Sequence, residues 1–327
     1  MNSYCNSILA TIVYYDIFDF PLTMVEIHKY LINPGRLFRD PVLETISLSQ
    51  VVESLEGLVA DGLVDSKNGF YFLSDRESLC ELRTERKKIA AQKWKKFLRT
   101  AKWFQTVPYL RAVLASGSLA INNTTPESDF DVLTVAKSGR LYICRIFLCL
   151  ITSFFRARRT RYEKTAPDKF CFNHYITDGD MNIKHESLYN AQTYANLKPV
   201  LVDNNFVEKF YTANNWLGKY ILNFDFKVQP QKICEVEPFK FIAKFLEFIL
   251  NSKMGDWIEI LFKKYQHKRI KENPATYESG GRVIFNDNEL EFHPRSFEAF
   301  AIDRYNKGLK RLGIISHIEE KDSGLTA

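Results

Sequence analysis

Apolar residues fall at helical spacing over residues 8–18, and the chain then changes rhythm in a readable way. Thr23-Met24-Val25-Glu26 sets an N-cap hydroxyl three residues before a carboxylate. That pairing is a capping box and predicts a second helix running to Leu31. Ser47-Leu48-Ser49-Gln50 repeats the device and leads into Val51, Val52, Leu55, Leu58 and Val59 on one helical face, with Gly62 as the stop. Residues 63–66 and 70–73 flank Lys67-Asn68-Gly69, and the Asn-Gly pair predicts a tight hairpin. Residues 81–104 read as one long helix whose apolar stripe is Ile89, Ala90, Trp94, Phe97, Leu98 and Ala101.

Beyond that helix the period shortens. Residues 109–115 form a buried-type strand, 119–122 a short helix, 124–128 a loop and 129–136 a second strand. A helix over 141–155, a basic loop (Arg156, Arg158, Arg159, Arg161, Lys164) and a third strand over 169–177 follow. From residue 187 the pattern predicts mostly helix, at 189–197, 206–221, 239–250, 257–271 and 293–312. The expected class is α+β. It divides into an N-terminal unit (1–80), a basic connecting helix (81–104), a central α/β sheet (105–186) and a helical C-terminal region (187–327).

Composition narrows the compartment more than the chemistry. With 46% apolar and 26% charged residues, the chain is an ordinary globular one. Six scattered cysteines (Cys5, Cys80, Cys144, Cys149, Cys171, Cys234) have no metal-ligand spacing, which predicts reduced thiols in a cytoplasmic protein. No basic region precedes the first apolar stretch, so no leader is expected. Residues 141–155 contain Arg145 and fall short of the roughly 20 apolar residues that a span needs, so a buried helix and no membrane partner are expected. The net charge of +6 is modest, but Arg83, Arg86, Lys87, Lys88, Lys93, Lys95, Lys96, Arg99 and Lys102 share one helix with only two acids, Glu81 and Glu85. Residues 83–102 are therefore a candidate footprint for nucleic acid or another polyanion.

The segment that carries chemistry is Ser116-Gly117-Ser118, followed by Asp129-Phe130-Asp131. Carboxylates at i and i+2 on a strand point to one face and repel each other unless a cation lies between them. Hard oxygen ligands converging in this way favour Mg²⁺, with phosphate oxygens completing its shell. Gly117-Ser118 with Ser128-Asp129-Phe130-Asp131, between two apolar strands, resembles the G-[GS]-x(9–13)-D-x-D motif of the DNA polymerase β-like nucleotidyltransferase superfamily. The resemblance is strongest around that motif and extends more weakly over residues 105–200.

The resemblance implies a nucleotidyltransferase fold and an Mg²⁺-dependent transfer (Mn²⁺ being an alternative ion) of a nucleoside monophosphate from a triphosphate to an acceptor. Gly117 and Ser118 would bind the triphosphate, with Lys137 and Arg145 as further phosphate cations, and Asp129 and Asp131 would hold the metal. The family usually adds a third carboxylate on the following strand. Here that strand, 169–177, has no acid; Asn173 stands near the expected place and could ligand through its amide oxygen. Asp178 is the acid that a register shift would bring in, and Asp168 and Asp180 also flank the strand. His174 reads as a core histidine. The phrase from Leu55 to Leu73 resembles the third helix and wing of winged helix-turn-helix domains, but Glu53, Glu56 and Asp61 on that helix suit a protein contact better than DNA. The competing reading is a catalytically impaired nucleotide-binding regulator whose winged helix meets DNA or a partner protein.

Overall fold

The N-terminal helices form where their caps are strongest. In this computed structural model, which describes residues 3–38, 45–160, 163, 165–202, 205–225, 233 and 235–324, α1 (Ser3–Asp16) is buried at every position from Ser7 to Tyr15. Arg161, Lys164 and Cys234 lie outside the described residues. Strand β1 (Leu22–Thr23) ends at the Thr23 N-cap of α2 (Met24–Lys29), and α3 (Pro34–Phe38) precedes α4 (Leu48–Ala60), capped by Ser47. Both capping boxes close reciprocally. The hairpin β2 (Val64–Lys67) and β3 (Phe70–Leu73) turns through Asn68 and Gly69, both at positive φ, and gives an antiparallel sheet of order β1-β3-β2.

Helix α5 (Leu79–Ala101) leads to β4 (Leu110–Ala115), α6 (Gly117–Ala120), β5 (Phe130–Ala136), α7 (Leu141–Phe154) and β6 (Phe170–Thr177). Then come α8 (Leu188–Ala195), β7 (Lys198–Val202), α9 (Phe206–Ala213), α10 (Glu237–Leu250) and α11 (Lys253–Lys271). The hairpin β8 (Arg282–Phe285) and β9 (Glu289–His293) and helix α12 (Glu298–Arg311) complete the described elements. With 51% helix and 16% strand, the fold is mixed α+β.

The large sheet has the order β7-β4-β5-β6-β9-β8. β5 and β6 are parallel, joined through α7, and the other neighbours are antiparallel. Three of its strands come from the region read as helical. β7 is a five-residue edge strand containing Pro199, tolerated there because an edge can spare one donor. β9 alternates Glu289, Leu290, Glu291, Phe292 and His293, but Glu289 and Glu291 are buried, so its charged side is not the solvated edge that alternation ordinarily signals. Helix α9 stops earlier than expected because Asn214 turns inward to bond Ile183 and Met181.

One apolar cluster joins the N-terminal helices, α8 and α12 to the sheet face bearing Ala112, Leu114, Leu133, Val135 and Ile176. A second covers the opposite face, where Val113, Phe130 and Val132 meet Phe97, Phe104, Leu141 and Leu148. Four cations of α5 have partners within the chain, Lys96 while remaining exposed. Arg83 pairs with Glu26, Arg86 donates to Phe18 O, and Lys93 and Lys96 both bind Asp168. Lys87, Lys88, Lys95, Arg99 and Lys102 are exposed. Among the described residues no helix is long and apolar enough to cross a membrane.

Candidate active site

Strand β4 delivers the chain to the site and a glycine turns it. Ser116 N donates to Asp131 O at 2.9 Å, and Gly117 follows at φ +60°. A Cβ on Gly117 would lie 2.6 Å from Asp131 Oδ2, so the absence of a side chain is required twice, by the backbone conformation and by the carboxylate. Ser118 continues into the short α6, and its carbonyl accepts from Asn123 N at 2.8 Å. The first turn of a helix leaves its amide N–H groups without intrahelical acceptors.

Asp129 and Asp131 are half-buried beside this turn. Their carboxylate oxygens and Cys171 Sγ all lie within 4.8 Å of one another. Burial, and next the neighbouring Asp129 charge, push the Asp131 carboxyl up to about 6, against the opposing effects of His293 and Arg159. Asn173 Nδ2 donates to Asp131 Oδ1 at 2.9 Å. It reaches that oxygen because the register slips opposite Val132: Asp131 faces Cys171 but Leu133 faces His174.

Two contributors were not singled out from sequence. Arg159 forms an ion pair with Asp129 through Nη1, and a backbone bond from its N–H to Phe170 O holds it against β6. His293, at the end of β9, lies close enough to influence Asp131, and its Nδ1 is 2.8 Å from Glu291 Oε1. The cluster of basic residues after α7 was a signal for the first. The second depended on recognising β9.

The remaining expected residues lie elsewhere. Asp178, expected as the third carboxylate, sits at the opposite end of the sheet. Because β6 runs parallel to β5, with Asp131 beside Cys171 and Ala136 beside Thr177, Asp178 emerges six to seven residues, roughly 20 Å, beyond Asp131. Its Oδ1 accepts from Ser138 N at 2.7 Å. Lys137 is at that same far end, with Nζ 5.6 Å from the Tyr109 ring centroid. Arg145 projects from α7 toward α11 and β9, donating to Gln266 Oε1 at 2.5 Å and stacking 4.7 Å from Phe292. Asp168 is held by Lys93 and Lys96, and Asp180 by Lys184. His174 is a satisfied core residue between Glu289 and Tyr194.

The donors present suit one hard divalent cation. Two carboxylates on one face, one of them raised by burial and by its neighbour, are the set to which Mg²⁺ adds water and phosphate oxygens. Cys171 adds nothing for such an ion, because burial and the two acids hold its thiol protonated. Asn173 presents its amide nitrogen to Asp131, and the oxygen is the atom that could face an ion. Comparison with known protein families, characterised proteins and solved structures finds no match to this chain.

Proposed function

We propose that the protein is an Mg²⁺-dependent nucleotidyltransferase, with Mn²⁺ as a substitute ion, moving a nucleoside monophosphate from a nucleoside triphosphate to an acceptor. The observation that carries this reading is the contact of Gly117 with Asp131, which sets a side-chain-free turn against a carboxylate pair. In this reading Gly117 lets the backbone approach the triphosphate, and the Ser118 hydroxyl and the first-turn N–H groups donate to its oxygens. Asp129 and Asp131 would hold the ion, which when bound neutralises the phosphates and lowers the cost of the departing pyrophosphate. Arg159 holds Asp129 in place and would be the cation beside a bound phosphate. A triphosphate substrate and the free thiols of Cys80, Cys144, Cys149 and Cys171 suit the cytoplasm.

A second reading is supported by the place of Asp178. With that acid at the far end of the sheet and Asn173 beside Asp131, the site has two carboxylates rather than three among the described residues. A nucleotide-binding regulator needs no more. Its N-terminal unit would be the winged helix, with the exposed Glu53 and Glu56 of α4 and Asp61 at its C-cap favouring a protein over DNA.

Calorimetric titration of a non-hydrolysable nucleoside triphosphate with Mg²⁺ tests the common part. Binding should weaken at least about a hundredfold in Asp129→Asn with Asp131→Asn, as expected when a buried charge-pair site is removed. Unchanged affinity would sink both readings. Pyrophosphate release across a panel of sugar, protein and nucleic-acid hydroxyl acceptors then separates them: release supports the transferase, and tight binding without release supports the regulator.

A further inference from the structure

The helical hairpin α10–α11 has two apolar sides where a surface hairpin needs one. Its inner side meets the core through Leu250, Ile258 and Phe262. Its outer side leaves Phe241, Phe245 and Phe248 in one stripe of α10, and Met254, Trp257, Leu261 and Tyr265 in one stripe of α11. Phe248 is 80% exposed, and Phe154 at the end of the adjacent α7 is 82% exposed. The surface continues through Trp103, whose ring stacks 4.6 Å from Phe239 and lies 5.5 Å from Phe155. A typical monomer exposes apolar patches of a few hundred Å² at most, so a face of this kind calls for an occupant.

Charge on the hairpin is sorted by side. The acids in its middle are turned toward the body of the protein. Glu247 accepts from Tyr109 N at 2.6 Å and pairs with Arg111, Glu259 accepts from Tyr142 N and Ile143 N at 2.8 Å each, and Asp256 pairs with Arg140. The cations are left outside, with Lys244, Lys253, Lys264 and Lys268 exposed beside the apolar stripes. A trough of about 660 Å³ runs along α11, lined by Ile260, His267, Glu272 and four lysines, Lys263, Lys264, Lys268 and Lys271. Arg99 and Lys102 of α5 extend the basic rim toward Trp103.

We infer that the outer face of this hairpin docks on an anionic phospholipid surface, the rings entering the headgroup layer and the lysines meeting lipid phosphates. Aromatic residues flanked by lysines on an in-plane amphipathic helix are what such an interface selects, and the lysine stems lie along the apolar layer while their ammonium groups reach out. A second copy of the chain fits less well, since a two-fold contact would set these lysines against each other with the central acids already engaged inward. Lying on a membrane needs no spanning helix. The hairpin packs on the Val113–Phe130 side of the sheet, opposite the side to which Asp131 points, so docking leaves the carboxylates open. The inference does not depend on the catalytic reading.

Co-sedimentation of the full chain with phosphatidylcholine vesicles and with an equimolar phosphatidylcholine–phosphatidylglycerol mixture tests it. The protein should pellet with the anionic vesicles only, and less as salt rises. Phe248→Glu with Trp257→Glu should reduce binding by about tenfold or more, and Lys264→Glu or Lys268→Glu by at least about fivefold each. Unchanged thermal unfolding and nucleotide binding in these surface variants would keep the result separate from misfolding. Failure to pellet with anionic vesicles, or equal pelleting of the double variant, overturns the inference. So does a dimer in sedimentation velocity that Phe248→Glu with Trp257→Glu dissolves, which assigns the face to a second copy. Displacement by inorganic phosphate, or tighter binding of duplex DNA or RNA than of vesicles, overturns it in favour of a soluble anion or nucleic acid.

Discussion

Asp131 on β5 and Glu291 on β9 both lie on the same side of one sheet, two strands apart, yet their carboxyl pKa values are shifted in opposite directions. Glu291 receives two bonds from Arg282, at 2.7 and 2.8 Å, and a third contact from His293 at 2.8 Å. Burial alone would raise its pKa, but His293 and Arg282 together hold it far below the usual carboxylate range. Asp131 is raised to about 6 by burial and next by the Asp129 charge, which His293, Arg159 and the Asn173 amide do not offset. One acid is compensated inside the fold. The other keeps a raised carboxyl, and that perturbation makes its end of the sheet the candidate site on physical grounds.

The comparison breaks most sharply at Arg282. Arg282→Met leaves Glu291 and Glu298 buried without their cation and should cost about 3–5 kcal/mol in urea unfolding. A loss below about 1 kcal/mol would mean that Glu291 is not held by charge compensation at all.

The next effect is in pH. The folded pKa of Asp131 stands near 6 against an ordinary 3.8, so the folded state binds this proton more tightly than the unfolded one. Its contribution to stability is present at the acid end of that window and fades as pH rises from about 4 to about 6, by up to about 3 kcal/mol in the metal-free protein. Glu291 has the opposite sign: its folded pKa is depressed, so its contribution is present above about 4.5 and is lost as pH falls. Asp131→Asn should flatten the first slope and leave the second, read from unfolding midpoints across pH. Identical pH profiles for the variant and the parent would refute the raised carboxyl of Asp131.

A smaller loss is expected at Gly117. Gly117→Ala places a Cβ 2.6 Å from Asp131 Oδ2 at a positive φ and should cost about 1–3 kcal/mol, together with metal-dependent nucleotide binding. Gly69→Ala, at positive φ in the N-terminal hairpin with nothing within 4 Å, should cost only about 1 kcal/mol and spare binding. Equal behaviour of the two would remove the special role of the Gly117 contact.

Legibility follows the range of the forces involved. Thr23 with Glu26, Ser47 with Gln50 and the Asn68-Gly69 turn could be read directly, because each depends on atoms a few residues apart. The pairing of Gly117 with the two aspartates was legible as a candidate site for the same reason. The strands β7, β8 and β9 were not, since a short edge run and a strand whose charged side is buried look like loop or helix until their partners arrive. Nor was the division of α5 into internal and exposed cations, because Lys93 and Asp168 meet only after folding.

By itself the chain determined its local elements and set two carboxylates on one face beside a side-chain-free turn, through caps, turn residues and the two-residue period of a strand. Only the tertiary structure decided which other groups reach that turn. The parallel register of β5 and β6 carries Asp178 to the far end, and the irregular pairing opposite Val132 brings Asn173 in. The return of β9 brings His293 near, and the segment after α7 supplies Arg159. Strand order and register are settled by long-range burial summed over many residues, so no short stretch of sequence contains them, and the charge on Asp131 depends on that sum.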